Sequence, residues 1–306
     1  MTDDIAALAA QIPELRDVST EPERLGGLTN RVYRYGGFCL RFPGEGTEEY
    51  IDRTNEAEAA MAAARAGVSP ELVHVDPQSG IMVTRFIEGA ATMSPAAFRS
   101  RAGSPARAGR AFAQLHGSGS VFPFTFELFA MIDNYLEILA GKDVALPEGY
   151  HDVVAEAGEV RAALAAGPLP SAPCHCDPLC ENFLDTGEKM WIVDWEYSGM
   201  NDPMWDLGDL SVEGEFTPAQ DIEMLEAYFG RAPGAAEHAR MVIYKAMCDL
   251  LWTLWGLIQL ANRNPAEDFR AYADGRFARC RALMATDEFA RHLTAVRRRD
   301  AAAGEG

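Results

Sequence analysis

Lysine is scarce in this chain. Of its 27 basic residues only Lys142, Lys189 and Lys245 are lysines, so a catalytic lysine has few candidates. Positive charge as a whole is short as well: 46 acidic residues face those 27, for a net charge of -19. That balance excludes a nucleic-acid binder, which needs a basic face. It fits a small cationic partner better than an anionic one. No uninterrupted apolar run approaches the ~18 residues that read as a membrane span, and Met1-Thr2-Asp3-Asp4 lacks the basic-then-apolar pattern of a secretory leader. A cytoplasmic protein without membrane insertion is expected.

Two familiar phosphate-binding signatures are absent. Gly26-Gly27-Leu28-Thr29-Asn30 would let backbone N–H groups approach phosphate, yet it is neither a G-x-G-x-x-G loop nor a Walker A sequence. A zinc set is absent too. Cys174, Cys176 and Cys180 cluster around His175, but no second ligand pair follows to close a tetrahedron. On an extended segment, Cys174 and Cys176 would point to opposite faces. Reduced, packed cysteines are the expectation, Cys39, Cys248 and Cys280 included.

What is present is concentrated between residues 173 and 194. His175-Cys176-Asp177-Pro178-Leu179-Cys180-Glu181-Asn182 lies between apolar, strand-like segments, and Asp194 ends the returning strand twelve residues after Asn182. Phosphoryl transfer needs one carboxylate to receive or orient a hydroxyl, and an amide and a second carboxylate to hold Mg2+ on the nucleotide. A polar loop satisfying its own turn would contain Asp and Asn as well. A carboxylate at the end of a buried strand, however, is costly unless it faces a cleft.

Around this unit the chain divides into two lobes, residues 1–88 and 89–306. In the first, Arg31–Tyr35 and Phe38–Phe42 form a hairpin about Gly36-Gly37. An Ala-rich helix runs from Asp52 to Ala66, and strands follow at 68–76 and 80–86. In the second, Ser104 caps a helix to His116, further helices cover 127–139 and 151–165, and a Gly-, Asp- and Pro-rich stretch reaches Phe216. Helices at about 218–229, 235–261, 265–285 and 287–298 complete it. Arg41 is the one basic residue of its strand, and Glu56 lies on the next helix. That pair would grip nucleotide phosphates, or serve as an ordinary ion pair. Trp252 and Trp255 share a helix face three residues apart. Such spacing suits a core, but two indoles can also wall a quaternary ammonium by cation–π attraction. Tyr197, Tyr228 and Tyr244 are available as further walls, and Glu196, Asp209 and Glu213 as negative charge.

With these residues the sequence resembles the choline/ethanolamine kinase family, within the aminoglycoside-phosphotransferase-like and protein-kinase-like group. The resemblance covers roughly residues 24–280. It rests on His175-x-Asp177-x4-Asn182, on Asp194-Trp195-Glu196-Tyr197, on Asp206-Leu207-Gly208-Asp209-Leu210 and on Trp252-x-x-Trp255-Gly256-Leu257-Ile258-Gln259. Trp195 stands where the family usually has Phe.

The resemblance implies an α+β, bilobal, protein-kinase-like fold, with a small antiparallel-sheet lobe that binds nucleotide and a larger helical lobe that binds the acceptor. It implies ATP and Mg2+, with His175, Asp177 and Asn182 in the catalytic loop and Asn182 and Asp194 on the metal. Asp206 would brace the loop. Asn30, Arg41, Glu56, Thr84, Phe86 and Ile87 would serve the nucleotide, and Trp252, Trp255, Tyr197, Glu196 and Glu213 a small cationic amino alcohol. Choline is the expected acceptor. Ethanolamine, or an aminoglycoside or sugar reached by the same loop, is the rival substrate, and a pseudokinase or ammonium-binding module the rival class.

Overall fold

A computed structural model of the chain describes residues 2–26, 30–44 and 51–297. Of the Gly-rich segment considered for phosphate, residues 27–29 lie outside that set. The first lobe is built on a five-stranded antiparallel sheet of β1 (Glu23–Gly26), β2 (Arg31–Tyr35), β3 (Phe38–Phe42), β4 (Leu72–Val75) and β5 (Met82–Arg85), in the order β1-β2-β3-β5-β4. Strand periodicity splits β3 between two faces. Phe38, Leu40 and Phe42 pack on Ile5, Leu8 and Ile12 in and after helix α1 (Thr2–Gln11). Cys39 and Arg41 point the other way, into the cleft. The register Val32↔Arg41↔Met82 and Cys39↔Thr84 carries the cleft-facing side across β2, β3 and β5.

Helix α2 (Arg53–Arg65) starts at Asp52, whose carboxylate accepts from the Thr54 and Asn55 amides at 2.9 and 3.2 Å. This N-cap removes two of the unpaired donors of the first turn. The Ala face of α2 joins the larger core of the second lobe.

The link to that lobe runs through β6 (Ala91–Thr92), α3 (Pro95–Ser100) and α4 (Ser104–His116). Gly103, at φ 74°, caps α4, and Ser104 is its first helical residue rather than the expected cap. Helices α5 (Leu128–Ala140) and α6 (Tyr150–Ala166) follow. Then come β7 (Ala172–Cys174), the hairpin β8 (Phe183–Asp185) and β9 (Met190–Ile192), and β10 (Gly199–Asn201), which pairs with β7.

The Gly-, Asp- and Pro-rich stretch read as irregular contains a helix, α7 (Met204–Glu213), with eight buried residues. It is buried on several sides, so no polar stripe marks it as helical. Gly208 lets it approach its neighbour: a Cβ there would stand 2.7 Å from the Met241 carbonyl oxygen. Helices α8 (Pro218–Phe229), α9 (Ala235–Ala261), α10 (Phe269–Met284) and α11 (Asp287–Arg297) complete the lobe. Helix α9 is long and apolar enough to cross a membrane, but 83% of its most apolar window is buried inside the protein. It is the spine of the helical core.

Candidate active site

Between the sheet and the helical lobe lies a cavity of about 730 Å³. Its far end, under the segment linking the lobes, is walled by Val32, Thr84, Phe86, Ile87 and Leu184. Apolar walls around one hydroxyl and exposed backbone suit a flat heteroaromatic base.

The middle is charged. Arg41 on β3 is buried and pairs with Glu56 of α2, with Asp194 at 2.9 Å and with Glu196 at 2.8 Å. Arg53 joins from the start of α2, 2.7 Å from Glu56 and 3.5 Å from Glu196. The Asn30 amide lies 3.3 Å from both Asp194 and Glu196. Burial alone would weaken the charge on Arg41, but Asp194, then Glu56 and Glu196, hold its proton more tightly than usual. The Glu196 carboxyl is pushed up to about 7 by burial and then by Asp194, with Arg41 opposing. Glu196 therefore stands in the Arg41 cluster and not, as expected, among the aromatic walls. Glu56 does not line the cavity but backs Arg41 from behind.

The loop between β7 and β8 presents Asp177, half-buried and facing the cavity. Two braces hold the loop. Asp206 at the start of α7 accepts from the His175 amide at 2.7 Å and the Cys176 amide at 2.8 Å. The Asn182 side-chain nitrogen donates to the Asp177 carbonyl at 3.0 Å. Cys176 and Asp194 both sit at left-handed φ, 67° and 68°, a conformation that non-glycine residues adopt at a cost. Both are adjacent to, or part of, the chemistry-bearing set. Burial first, then Asp209, Asp194 and further carboxylates, raise the Asp177 carboxyl well above its usual range.

His175 belongs to the scaffold. It is fully buried, its Nε2 bonds the Val193 carbonyl at 2.9 Å, its ring meets Trp195 edge-on, and it does not line the cavity. Burial lowers its pKa. Its backbone, rather than its imidazole, serves the site.

At the other end the walls are aromatic. Trp252 and Trp255 of α9, Tyr197 and Tyr272 line it. Tyr197 meets Trp252 edge-on at 5.6 Å, and Trp255 meets Tyr272 at 5.7 Å. The Trp255 indole N–H donates to the Tyr197 hydroxyl and the Trp252 N–H to Asp209, both at 3.0 Å. The proposed walls Tyr228 and Tyr244 are elsewhere, bonded to His116 and Asp202 at 3.0 and 2.9 Å. Glu213 does not reach the cavity either; it pairs with Arg276, whose guanidinium lies 4.5 Å over the Tyr272 ring.

Tyr272 and Arg276 escaped residue-level reading. Their positions four apart on α10 would have suggested a common face, but only the packing of α10 on α9 turns that face to the cavity.

Residues 22–244 match the family profile described as APH, the phosphotransferase enzyme family. A choline/ethanolamine kinase family protein of Mesorhizobium loti, known by crystal structure, is 70% identical over 97% of this chain and 99% of its own, with a TM-score of 0.90. The chain belongs to the choline/ethanolamine kinase family. It is thus an ATP-dependent phosphotransferase of the protein-kinase-like fold. The choline kinase LicA of Streptococcus pneumoniae is 27% identical over 92% of this kinase and 99% of its own chain, with a TM-score of 0.76. Protein LicA of Haemophilus influenzae is 26% identical over 264 residues, 81% of this kinase and 75% of its own length.

The residues present fit a magnesium ion. The Asn182 nitrogen is committed to the Asp177 carbonyl, which leaves its side-chain oxygen for a ligand, and the Val193 amide bonds the Asn182 carbonyl at 2.9 Å next to Asp194. An amide oxygen beside a carboxylate is a hard-oxygen set suited to Mg2+. His116, Cys174 and Asp206 also come close enough to share an ion. There the imidazole is already bonded on both sides, to Tyr228 and to Asp206.

Proposed function

We propose that this kinase transfers the γ-phosphoryl group of ATP to the hydroxyl of choline, giving phosphocholine, ADP and a proton. The observation that carries the choice is the aromatic end of the cavity. The two indole N–H groups are spent on Tyr197 and Asp209, so the indoles offer a ligand no free donor, and the cation at this end, Arg276, is already paired with Glu213 and Asp249. A quaternary ammonium needs no hydrogen-bond acceptor and is attracted to aromatic faces. A primary ammonium such as ethanolamine would lose the hydrogen bonds it makes to water and regain few.

In this reading the base lies by Thr84, Phe86 and Ile87, and Arg41 steadies the phosphates. Asn182 and Asp194 would hold Mg2+, whose charge would offset that of the phosphates. Asp177 orients the acceptor hydroxyl and takes its proton as the O–P bond forms. Burial and the nearby carboxylates raise its pKa, which makes the carboxylate a stronger proton acceptor. The positive head of the acceptor, resting in the box, holds the hydroxyl toward Asp177, so catalysis is chiefly positioning and charge stabilisation. Six unpaired cysteines and the use of ATP fit the cytoplasm.

Replacing Trp252 or Trp255 with Leu tests the acceptor. Leu keeps apolar bulk and loses the ring quadrupole, worth up to about 2 kcal/mol for a desolvated cation. Choline KM should rise by as much as roughly thirtyfold while ATP KM holds. An unchanged choline kcat/KM in a variant that melts normally would reject the cage.

A further inference from the structure

Behind Trp252 stands a group that the transfer reaction has not used. Asp209, on α7, is 1% exposed and does not line the cavity. Its Oδ2 accepts the Trp252 indole N–H at 3.0 Å. Its Oδ1 receives no N–H or O–H hydrogen bond, and the Cys248 thiol lies beside it. A buried carboxyl with one oxygen unsatisfied is costly, and an asparagine would hold the indole as well. What Asp supplies beyond Asn is charge.

That charge is poised for a visitor. Burial and then Glu213 raise the Asp209 pKa, while Arg276 and the Trp252 hydrogen bond lower it. A cation arriving on the other side of the indole works against the first two and favours the carboxylate. A carboxylate on the indole N–H also enriches the ring in electron density, which strengthens its hold on a cation over the face.

We propose that Asp209 determines acceptor specificity through Trp252: it anchors the indole edge and sets a negative charge behind the ring. The box then prefers a positively charged head over an uncharged one of the same shape. This rests on the choline reading above.

The test compares choline with 3,3-dimethylbutan-1-ol, in which carbon replaces the quaternary nitrogen. For Asp209→Asn, which keeps an oxygen for the indole, choline kcat/KM should fall roughly three- to tenfold. Turnover of the neutral alcohol and the KM for ATP should hold. Asp209→Leu should lower both alcohols together, because Trp252 loses its anchor. Equal losses for the two alcohols in Asp209→Asn, or no loss for either, would overturn the proposal.

Trp252→Phe gives a second approach that leaves Asp209 in place. It keeps a ring but has no N–H to reach the carboxylate, and it should also narrow the choline preference. An unchanged preference there counts against Asp209 equally. Wild-type enzyme that phosphorylates neither alcohol would remove the choline reading itself, an outcome visible before any variant is made.

Discussion

The charged middle of the cavity and its aromatic end use negative charge in opposite ways. In the middle Asp194 and Glu196 reach the cavity, with Glu56 close behind, and all three share one buried guanidinium. At the aromatic end Asp209 and Glu213 stand behind Trp252 and Arg276, while Asp177 comes forward to the cavity. The cations proposed for the two places would account for the difference. A small, hard ion such as Mg2+ needs direct oxygen ligands, so carboxylates must face it. A bulky, weakly hydrated ammonium gains more from ring faces, with the counter-charge kept one layer back.

The largest effect should come from removing a forward carboxylate. Asp194→Ala takes away the proposed metal oxygen and one of the three carboxylates on Arg41, and several kcal/mol of transition-state stabilisation would go with the metal. Turnover should fall by roughly three orders of magnitude, with Mg2+-dependent nucleotide binding lost in titration calorimetry. Retained Mg2+-ATP affinity would break the contrast between the two places.

Asp177→Asn should come next, lowering turnover by roughly a hundredfold while nucleotide still binds. It also carries a stability signature. The folded carboxyl titrates above its unfolded value of about 3.9, so its proton is held more tightly in the folded protein. Stability is full below that unfolded value and is lost as pH rises through the raised one. Removing the carboxylate should therefore raise the melting temperature of the empty enzyme at pH 8 by roughly 1–3 °C. A variant that melts lower at pH 8 would mean that neighbouring cations, rather than burial, govern Asp177.

The smallest effect belongs to the cysteines. Cys174 and Cys176 are buried, and burial raises both thiols well above their ordinary pKa. Cys174→Ser and Cys176→Ser should leave metal dependence unchanged, and metal analysis should find no stoichiometric zinc. Zinc that disappears with these changes would contradict an all-oxygen metal site.

How much of this was legible beforehand depended on whether a residue acts locally. Asp177, Asn182 and Asp194 belong to one strand-loop-strand unit, so their convergence was readable from spacing, whereas spacing left the Arg41–Glu56 pair open between a site role and an ordinary ion pair. Long apolar helices were equally plain, with α8 and α9 found at their expected limits. Helix α7 was not, because its Asp206 and Asp209 are polar for reasons that lie on other elements: loop amides for one, an indole for the other. His175 misled in the reverse sense, since a histidine beside a catalytic aspartate reads as chemistry and here packs as scaffold. Glu196 and Tyr197 are neighbours in sequence, yet one turns to Arg41 and the other to Trp255. Alternation of side chains along the backbone sends them to different places, and spacing alone could not say which.

The most direct test of the account is a competition followed by ³¹P NMR. Wild-type enzyme, Mg2+ and ATP are given equal concentrations of choline, ethanolamine, an aminoglycoside and a sugar. The account predicts that phosphocholine accumulates first and dominates while ATP is converted to ADP. Dominant transfer to the aminoglycoside or the sugar, or ATP binding with no phosphoryl transfer at all, would contradict it.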